Sequence, residues 1–308
     1  METQEITATA TLGRMGERQM TQPKEPLAPF LAEPSKLGTE ISVTGKWTPA
    51  KQGGLFRRSA ESKEMLREWE DIHAGARADA GVLSTEINHA VGEDAVLVHH
   101  VFRDPDALVH YFSTTATQHM GALTKVAKPE LHLIRGVSIP VAVREAVLAK
   151  NVPAVFGELL FGYVREDYKR PDQDTAIMVT AKWTCQPGVA THLEDLKYWW
   201  QRVGTEAHSI EKGLLRFEAY QVIGEDALII HETFENSGEL KFHLSKGTAE
   251  KYKKDIDKVA TPEAYFFRGP VSWTIRTYSK FLHLPATYSS QGSSFTQPGG
   301  SMSDGTIA

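Results

Sequence analysis

The sequence predicts an α+β fold in which two ferredoxin-like repeats pack their antiparallel sheets face to face. The first observation behind this prediction is an internal repeat. Blocks from the first half return in the same order 132 to 136 residues later: ISVTGKWT and IMVTAKWT, GEDAVLVHHVF and GEDALIIHETF, and IRGVS and FRGPV. A unit of this length is a whole domain, because it is too long for a solenoid module.

The second observation is the order of elements within each copy. Apolar residues spaced by three and four predict helices, short apolar runs predict strands, and Gly-Glu-Asp at 224–226 predicts a hairpin turn. In the first copy Asp104 is a favourable N-cap and Pro105 suits the first helical position. The second copy gives strand 176–183, helix 190–208, strand 214–222, strand 227–234, helix 236–259 and strand 264–277. This order is that of a split βαβ, ferredoxin-like unit.

The third observation is that the hairpin strands are apolar on both faces. An antiparallel sheet commonly leaves one face to water. Here helices can cover one face, and we expect the sheet of the other copy to cover the second, which makes a barrel-like core within one chain. The two faces of strand 227–234 are Leu228, Ile230, Glu232 and Phe234, and Ala227, Ile229, His231 and Thr233.

The repeats also set the expected domain boundaries. We expect the first repeat at 39–150, a linker at 151–174 and the second repeat at 175–286. The segment 1–38 is rich in Thr, Gln, Pro and Glu, and the segment 287–308 is rich in Ser and Gly. Such composition predicts a flexible N-terminal extension and a disordered tail.

Charge and hydropathy narrow the classes of partner. A net charge of −5 over 308 residues gives no basic footprint, which argues against nucleic acid and anionic membranes. No apolar stretch approaches the roughly 20 residues that span a bilayer, and the first residues lack the features of a signal peptide. We therefore expect a cytoplasmic protein whose partner is a small molecule and which could assemble further as a homo-oligomer.

A glutamate and a histidine in the second copy have a spacing that is typical of a known family. Glu232 ends a strand in His-Glu-Thr-Phe, and His243 follows eleven residues later on the next helix. In this respect the chain resembles the antibiotic-biosynthesis-monooxygenase-like domains of the dimeric α+β barrel superfamily. The resemblance covers about residues 40–145 and 175–280, and the first copy departs from it with His100 and Tyr111 at the two positions. It implies that the tandem copies form within one chain the barrel that single-domain members form as dimers.

The resemblance also implies an activity. Enzymes of this family oxygenate phenols, quinols or anthrones without a metal or flavin. It therefore implies a cofactor-independent monooxygenase, or a related oxidoreductase or isomerase, that acts on a small aromatic or polyketide-like compound in the second repeat. Molecular oxygen would be the co-substrate. The alternatives are a non-catalytic small-molecule-binding or assembly protein on the same fold, and a haem- or metal-binding member.

Two residues are the catalytic candidates. Glu232 can orient His243, and an imidazole with an ordinary pKa near 6.5 can take a phenolic proton. The structural alternative is that the two side chains only brace the helix on the strand. We expect the substrate to contact aromatic and polar residues of the strands and helices: His231, His99, Phe217, Trp199, Trp200, Phe234 and Tyr111.

Histidines in the first copy raise the question of a metal. His99 and His100 are neighbours on a strand, so they face opposite sides of the sheet. His110 and His119 are nine residues apart on the following helix, so they lie on opposite sides of it. Since this geometry splits the group and no His-x-x-x-His pair occurs, no metal site is predicted.

Overall fold

The computed structural model describes residues 38–51, 59–165, 175–188, 191–289 and 293–296. The expected N-terminal extension before residue 38 and the expected tail after residue 296 lie outside the described residues. The strands are β1 Ile41–Pro49, β2 Val82–His89, β3 Val96–Phe102, β4 Ala127–Gly136, β5 Ala154–Val164, β6 Ile177–Cys185, β7 Leu214–Val222, β8 Ala227–Phe234, β9 Ala260–Arg268, β10 Ala286–Tyr288 and β11 Ser293–Thr296. The helices are α1 Ala60–Ala78, α2 Pro105–Ser113, α3 Thr115–Val126, α4 Val141–Leu148, α5 His192–Ile210, α6 Ser237–Ser245, α7 Thr248–Ile256 and α8 Trp273–Phe281.

The sheet contains two four-stranded units with matching strand order. The first unit runs β4-β1-β3-β2 and the second runs β9-β6-β8-β7, with antiparallel pairing throughout. Each unit has the element order of a ferredoxin-like repeat. The α+β fold class predicted from the sequence is confirmed.

Two connecting segments join these units in equivalent ways. Strand β5 pairs in parallel with β4 of its own repeat and antiparallel with β7 of the other repeat. Strand β10 pairs in parallel with β9, and β11 pairs antiparallel with β2. A bridge between Ala90 and Ser289 lies between these last two pairings. The segment after α8 therefore links the outer edges of the sheet, which closes it into a barrel. Strand β5 lies in the range expected as a linker, and β11 lies in the range expected as a tail.

Each strand alternates between two buried layers. Even-numbered residues of β8 contact the helices of the second repeat, whereas Ala227 and Ile229 face the barrel interior. The interior cluster draws on both repeats and on β5: its members are Leu97, Leu133, Val155, Leu159, Tyr220, Val222, Ala227, Ile229, Ala264 and Phe266. The sheets therefore cover each other's second apolar face, as the strand pattern predicts.

Local capping starts the helices that follow the hairpins. Asp104 accepts a hydrogen bond from the backbone N–H of Ala107 at 2.8 Å, and Pro105 is the first residue of α2. Asn236 caps α6 in the same position of the second repeat and accepts from the N–H groups of Gly238 and Glu239. Both caps satisfy backbone donors that have no partner within the helix.

Two element boundaries differ from the sequence prediction. In place of the one helix expected over 236–259 the structure has two, α6 and α7, because the helix is interrupted at Gly247. The strand expected over 264–277 begins at Ala260 and ends at Arg268, since Gly269 adopts a φ of 110° and Ser272 then caps α8. A φ in this range favours glycine and ends the strand. In the described ranges no helix is both long and apolar enough to cross a membrane.

We expect residues 1–150 expressed alone to aggregate or to pair with a second copy. The fragment lacks β5 and the second sheet, so the interior face of its own sheet, which carries Leu97 and Leu133, would be exposed to water. Size-exclusion chromatography with light scattering and urea unfolding would measure its state. A soluble monomer that unfolds cooperatively would contradict the mutual covering of the two sheets.

Candidate active site

A pocket lies between the sheet of the second repeat and its helices. Strands β6, β8 and β9 form its floor, helices α5, α6 and α7 form its walls, and residues 282 and 284 lie at one end. Its empty space, which includes the open mouth, is ≈ 560 Å³. Its aromatic side chains are Trp183, Trp200, Tyr265 and Phe267, and its charged or polar ones are Glu232, His243, Glu250 and Lys253.

His243 lies between two carboxylates at the inner end of this pocket. Its Nδ1 is 2.7 Å from Oε2 of Glu211, and its Nε2 is 3.2 Å from Oε1 of Glu232. All three residues are buried, with exposed fractions of 1% for His243, 3% for Glu211 and 6% for Glu232. The three side chains form a Glu-His-Glu triad, of which Glu232 and His243 line the pocket.

The two carboxylates set the charge of the imidazole. Burial by itself lowers the pKa of His243, but the charges and contacts of Glu232 and Glu211 outweigh burial and raise it to about 10. Burial likewise raises the pKa of Glu211, yet the bonds from His243 and Thr248 lower it below its ordinary value. At neutral pH the triad therefore holds an imidazolium between two carboxylates.

This charge state differs from the one that the predicted role of His243 requires. The sequence interpretation makes His243 the base that takes a phenolic proton, which requires a neutral imidazole. That role stays a prediction, and the raised pKa of His243 does not favour it. Of the two carboxylates of the triad, Glu232 is the one that lines the pocket.

Glu232 lies on the helix-facing side of β8, as Ile230 and Phe234 do, and it lines the pocket. Its Oε1 forms an ion pair with Nε2 of His243 at 3.2 Å, and no other donor in the described part of the chain bonds this oxygen. A carboxylate has room for further donors. A substrate hydroxyl could be one of them.

Glu211 is held rigidly at the base of the triad. It is the C-cap of α5, and its Oε1 accepts hydrogen bonds from the backbone N–H of Thr248 at 2.6 Å and from its hydroxyl at 2.7 Å. These donors form the N-terminus of α7, where a negative charge is stabilised. Gly247 permits the approach, because a Cβ there would lie 2.6 Å from Glu211 Oε1 and 2.7 Å from His243 Cα. The break between α6 and α7 is therefore part of the site.

The equivalent position of the first repeat is filled by aromatic rings. His100 and Tyr111 replace Glu232 and His243, and their ring centroids are 5.7 Å apart. Trp69 stacks on His100 at 5.9 Å, and His100 Nδ1 is bonded to Thr85 at 2.8 Å. Burial lowers the pKa of His100 to about 3, so it is neutral. The first repeat therefore has no counterpart of the charged triad.

The structure separates the residues expected to contact substrate. Trp200 lines the pocket, and Phe234 packs against His243 with ring centroids 5.2 Å apart. Phe217 is a buried core residue of the second repeat, and Trp199 is partly buried, with its ring centroid 5.9 Å from that of Tyr252. The remaining three lie elsewhere: Tyr111 is in the core of the first repeat, and His99 and His231 are in the barrel interior.

Sequence reasoning missed Glu211 as a member of the site. The residue is 32 positions before His243, and nothing local marks it as a partner. The repeat itself carries a signal, because Asp79 occupies the same C-cap position before β2 and contacts Thr115 at the start of α3. An acidic residue at the C-cap of the first long helix in both repeats is the signal that could have identified Glu211.

One group of metal-type ligands occurs in the described ranges. Glu68 and Asp71 of α1 and His119 of α3 have ligand atoms within 4.8 Å of one another, and His119 Nδ1 is 3.2 Å from Glu68. His119 thus pairs with carboxylates of a neighbouring helix, and His99 and His100 face opposite sides of the sheet. The strand alternation separates His99 from His100 as predicted, whereas His110 and His119 lie on two helices, α2 and α3, and not on opposite sides of one helix.

Comparison with known proteins gives distant structural similarities. No family model and no curated protein matches the sequence. A candidate monooxygenase from Fusobacterium nucleatum superposes with a TM-score of 0.49 at 10% identity and covers 85% of this chain and 99% of its own. An anthrone oxidase-like protein gives 0.47 at 9% identity over 85% and 94% of the two chains. SnoaB, a cofactor-independent oxygenase from Streptomyces nogalater, gives 0.27 at 15% identity over 34% and 98%. The fold assignment rests on the strand order and register of this chain.

We expect the substitution Glu211→Gln to change how stability depends on pH. Because the folded pKa of His243 is raised above the unfolded value near 6.5, its contribution is fully present below that value and is lost as the pH rises through about 10. Between pH 7 and 10 this loss is at most about 4 kcal/mol. The variant lowers the pKa of His243, so the stability difference from the wild type should be larger at pH 7 than at pH 10.

Urea unfolding at both pH values and an NMR titration of His243 would measure these changes. Glu194→Gln on the exposed face of α5 is the matched control and should leave both measurements unchanged. Parallel pH curves for the wild type and Glu211→Gln would refute the charged triad.

Proposed function

We propose that the chain is a cofactor-independent monooxygenase-type oxidoreductase that acts on a small hydroxylated aromatic or polyketide-like compound in the pocket of the second repeat. The observation that carries the proposal is the carboxylate of Glu232. It is buried, lines an aromatic pocket, forms an ion pair with the imidazolium of His243 and receives no hydrogen bond from any other described residue. Such a group is suited to accept a proton from a substrate.

The pocket walls favour a flat apolar ligand. The indole rings of Trp183 and Trp200 meet edge to face at 5.5 Å, and Tyr265 lies 6.0 Å from Trp183. Aromatic rings pack well against such surfaces in offset or edge-to-face geometry. The ring system of the substrate would lie between these walls, and its hydroxyl or acidic C–H would point toward Glu232.

The chemistry begins with proton transfer from the substrate to Glu232. The resulting substrate anion is electron-rich, and the imidazolium of His243 stabilises the negative charge that develops beside it. Molecular oxygen then takes four electrons from the substrate, which becomes a ketone or quinone: one oxygen atom becomes the new carbonyl oxygen, and the other leaves as water with the two protons that the substrate loses, one of them by way of Glu232. In this proposal the reducing electrons come from the substrate and no cofactor takes part.

We expect Glu232→Gln to abolish most of the oxygen uptake. The amide keeps the size of the side chain but cannot take the proton, so turnover should fall by roughly 10²- to 10⁴-fold. An oxygen electrode with anthrone, a quinol and a naphthol as probes, in the presence of EDTA, would measure the rate. Quenching of tryptophan fluorescence, to which Trp183 and Trp200 contribute from the pocket wall, would measure binding separately.

The matched control is Tyr111→Phe at the equivalent position of the first repeat. Its hydroxyl has no hydrogen-bond partner among the described residues, so its loss should change neither binding nor turnover. His243→Ala is less informative, because it leaves two buried carboxylates without their cation and destabilises the fold. Oxygen uptake that persists in Glu232→Gln would overturn the proposed role. Binding without any oxygen uptake by the wild type would favour a non-catalytic binding protein.

A further inference from the structure

The barrel interior contains a second polar centre, on the opposite face of the sheet from the pocket. Thr44 bonds Nδ1 of His99 at 2.9 Å in the first repeat, and Thr180 bonds Nδ1 of His231 at 3.0 Å in the second. Burial and the neighbouring arginines lower the pKa of both histidines well below the ordinary value, so both are neutral. These equivalent pairs face each other across the approximate two-fold axis that relates the repeats.

Two equivalent arginines reach this centre, but their environments differ. Arg268 of β9 donates from NH1 to Glu86 of the other repeat at 2.7 Å and from NH2 to the sulfur of Met178 at 3.2 Å. Arg135 of β4 is its counterpart and is 3% exposed. Its hydrogen bonds are two contacts from NH1, to the hydroxyls of Thr44 at 3.1 Å and Thr180 at 3.5 Å.

Arg135 therefore lacks the carboxylate that Arg268 has. The counterpart of Glu86 is Glu218, and it is already occupied by Arg216 at 2.6 Å and by the hydroxyl of Tyr220 at 2.7 Å. Among the described residues no carboxylate is within ion-pair distance of Arg135. Its Nε and NH2 donate no hydrogen bond to any described residue. Three arginines thus share two glutamates in this part of the barrel.

The asymmetry comes from one position of the repeat. The residue of β2 that corresponds to Arg216 is Ser84, so only the second repeat brings an extra cation to the interior. The other cations on this face, Lys46 and Lys182, lie at the hairpin ends, and each pairs with two partly exposed glutamates. They therefore do not change the central group, in which three arginines and two glutamates of the described residues lie together.

A buried cation without a counter-ion is expensive in free energy, as is a buried donor without an acceptor. Burial lowers the pKa of Arg135 to about 10, against the raising effect of Tyr220 and Glu218, so the guanidinium remains charged at neutral pH. A small anion would neutralise this charge and would accept from the unused N–H groups.

We propose that the barrel interior binds a small monovalent inorganic anion at Arg135, between the two repeats. The anion accepts hydrogen bonds from Nε and NH2 of Arg135 and supplies the negative charge that Glu86 supplies to Arg268. Because the residues that hold it come from both repeats, the anion stabilises their association, independently of any reaction in the pocket.

Chloride is the probe for this site. With ionic strength held constant by potassium gluconate, whose anion is much larger than chloride, replacement of gluconate by chloride should raise the melting temperature of the full chain by roughly 2–4 °C. Chloride-35 NMR should show line broadening that depends on the folded protein. The absence of both effects in the wild type would overturn the proposal.

Three variants locate the effect. Arg135→Met removes the cation at similar volume and should abolish the chloride effect, whereas Arg67→Met on the exposed face of α1 should retain it. Arg216→Ser restores the residue of the first repeat, so Glu218 becomes free to pair with Arg135. This variant should lose the chloride effect while remaining folded in gluconate.

The variants also give the results that would contradict the site. A chloride effect of wild-type size in Arg135→Met would place the bound anion elsewhere and overturn the proposal. The same result in Arg216→Ser would show that the excess charge is not its cause. If Arg135→Met does not fold, the comparison of Arg216→Ser with the wild type decides the question.

Discussion

The structure depends on the alternation of side chains along strands that are buried on both sides. Neighbouring residues of β8 enter different environments: Glu232 points to the helices and the pocket, whereas His231 points to the barrel interior. The same pleat separates His100 from His99 in the first repeat. Because every strand must satisfy a helix layer on one face and the opposite repeat on the other, neither repeat provides a complete core by itself.

Within this shared backbone the two repeats have different chemistry. The helix-facing layer of the second repeat holds the triad of Glu211, His243 and Glu232, and the equivalent layer of the first repeat holds packed aromatic rings around His100. The barrel interior shows the same divergence on a smaller scale, where Arg216 and Ser84 occupy equivalent positions. Replacement of a few side chains on an otherwise repeated frame therefore accounts for both the pocket and the uneven charge of the interior.

The triad illustrates how burial and pairing compete. Desolvation favours a neutral imidazole at His243, but two carboxylates within 3.2 Å favour the imidazolium and prevail. Glu211 is itself fixed by Thr248 at the start of α7, so the cation has a defined position. In the proposed reaction His243 is then a source of positive charge, and Glu232 accepts the proton.

The sequence by itself determined the repeated order of strands and helices, the hairpins, the cap at Asp104 and the need for two facing sheets. These features follow from the period of apolar residues and from turn chemistry, which act over a few neighbouring positions. The tertiary structure alone decided that Glu211 completes the triad, that Gly247 divides a helix beside it, and that β5 and the segment after α8 close the barrel. It also decided the charge of His243 and the isolation of Arg135. Each of these depends on contacts between residues far apart in the chain, where spacing carries no information about distance, burial or the number of charged neighbours.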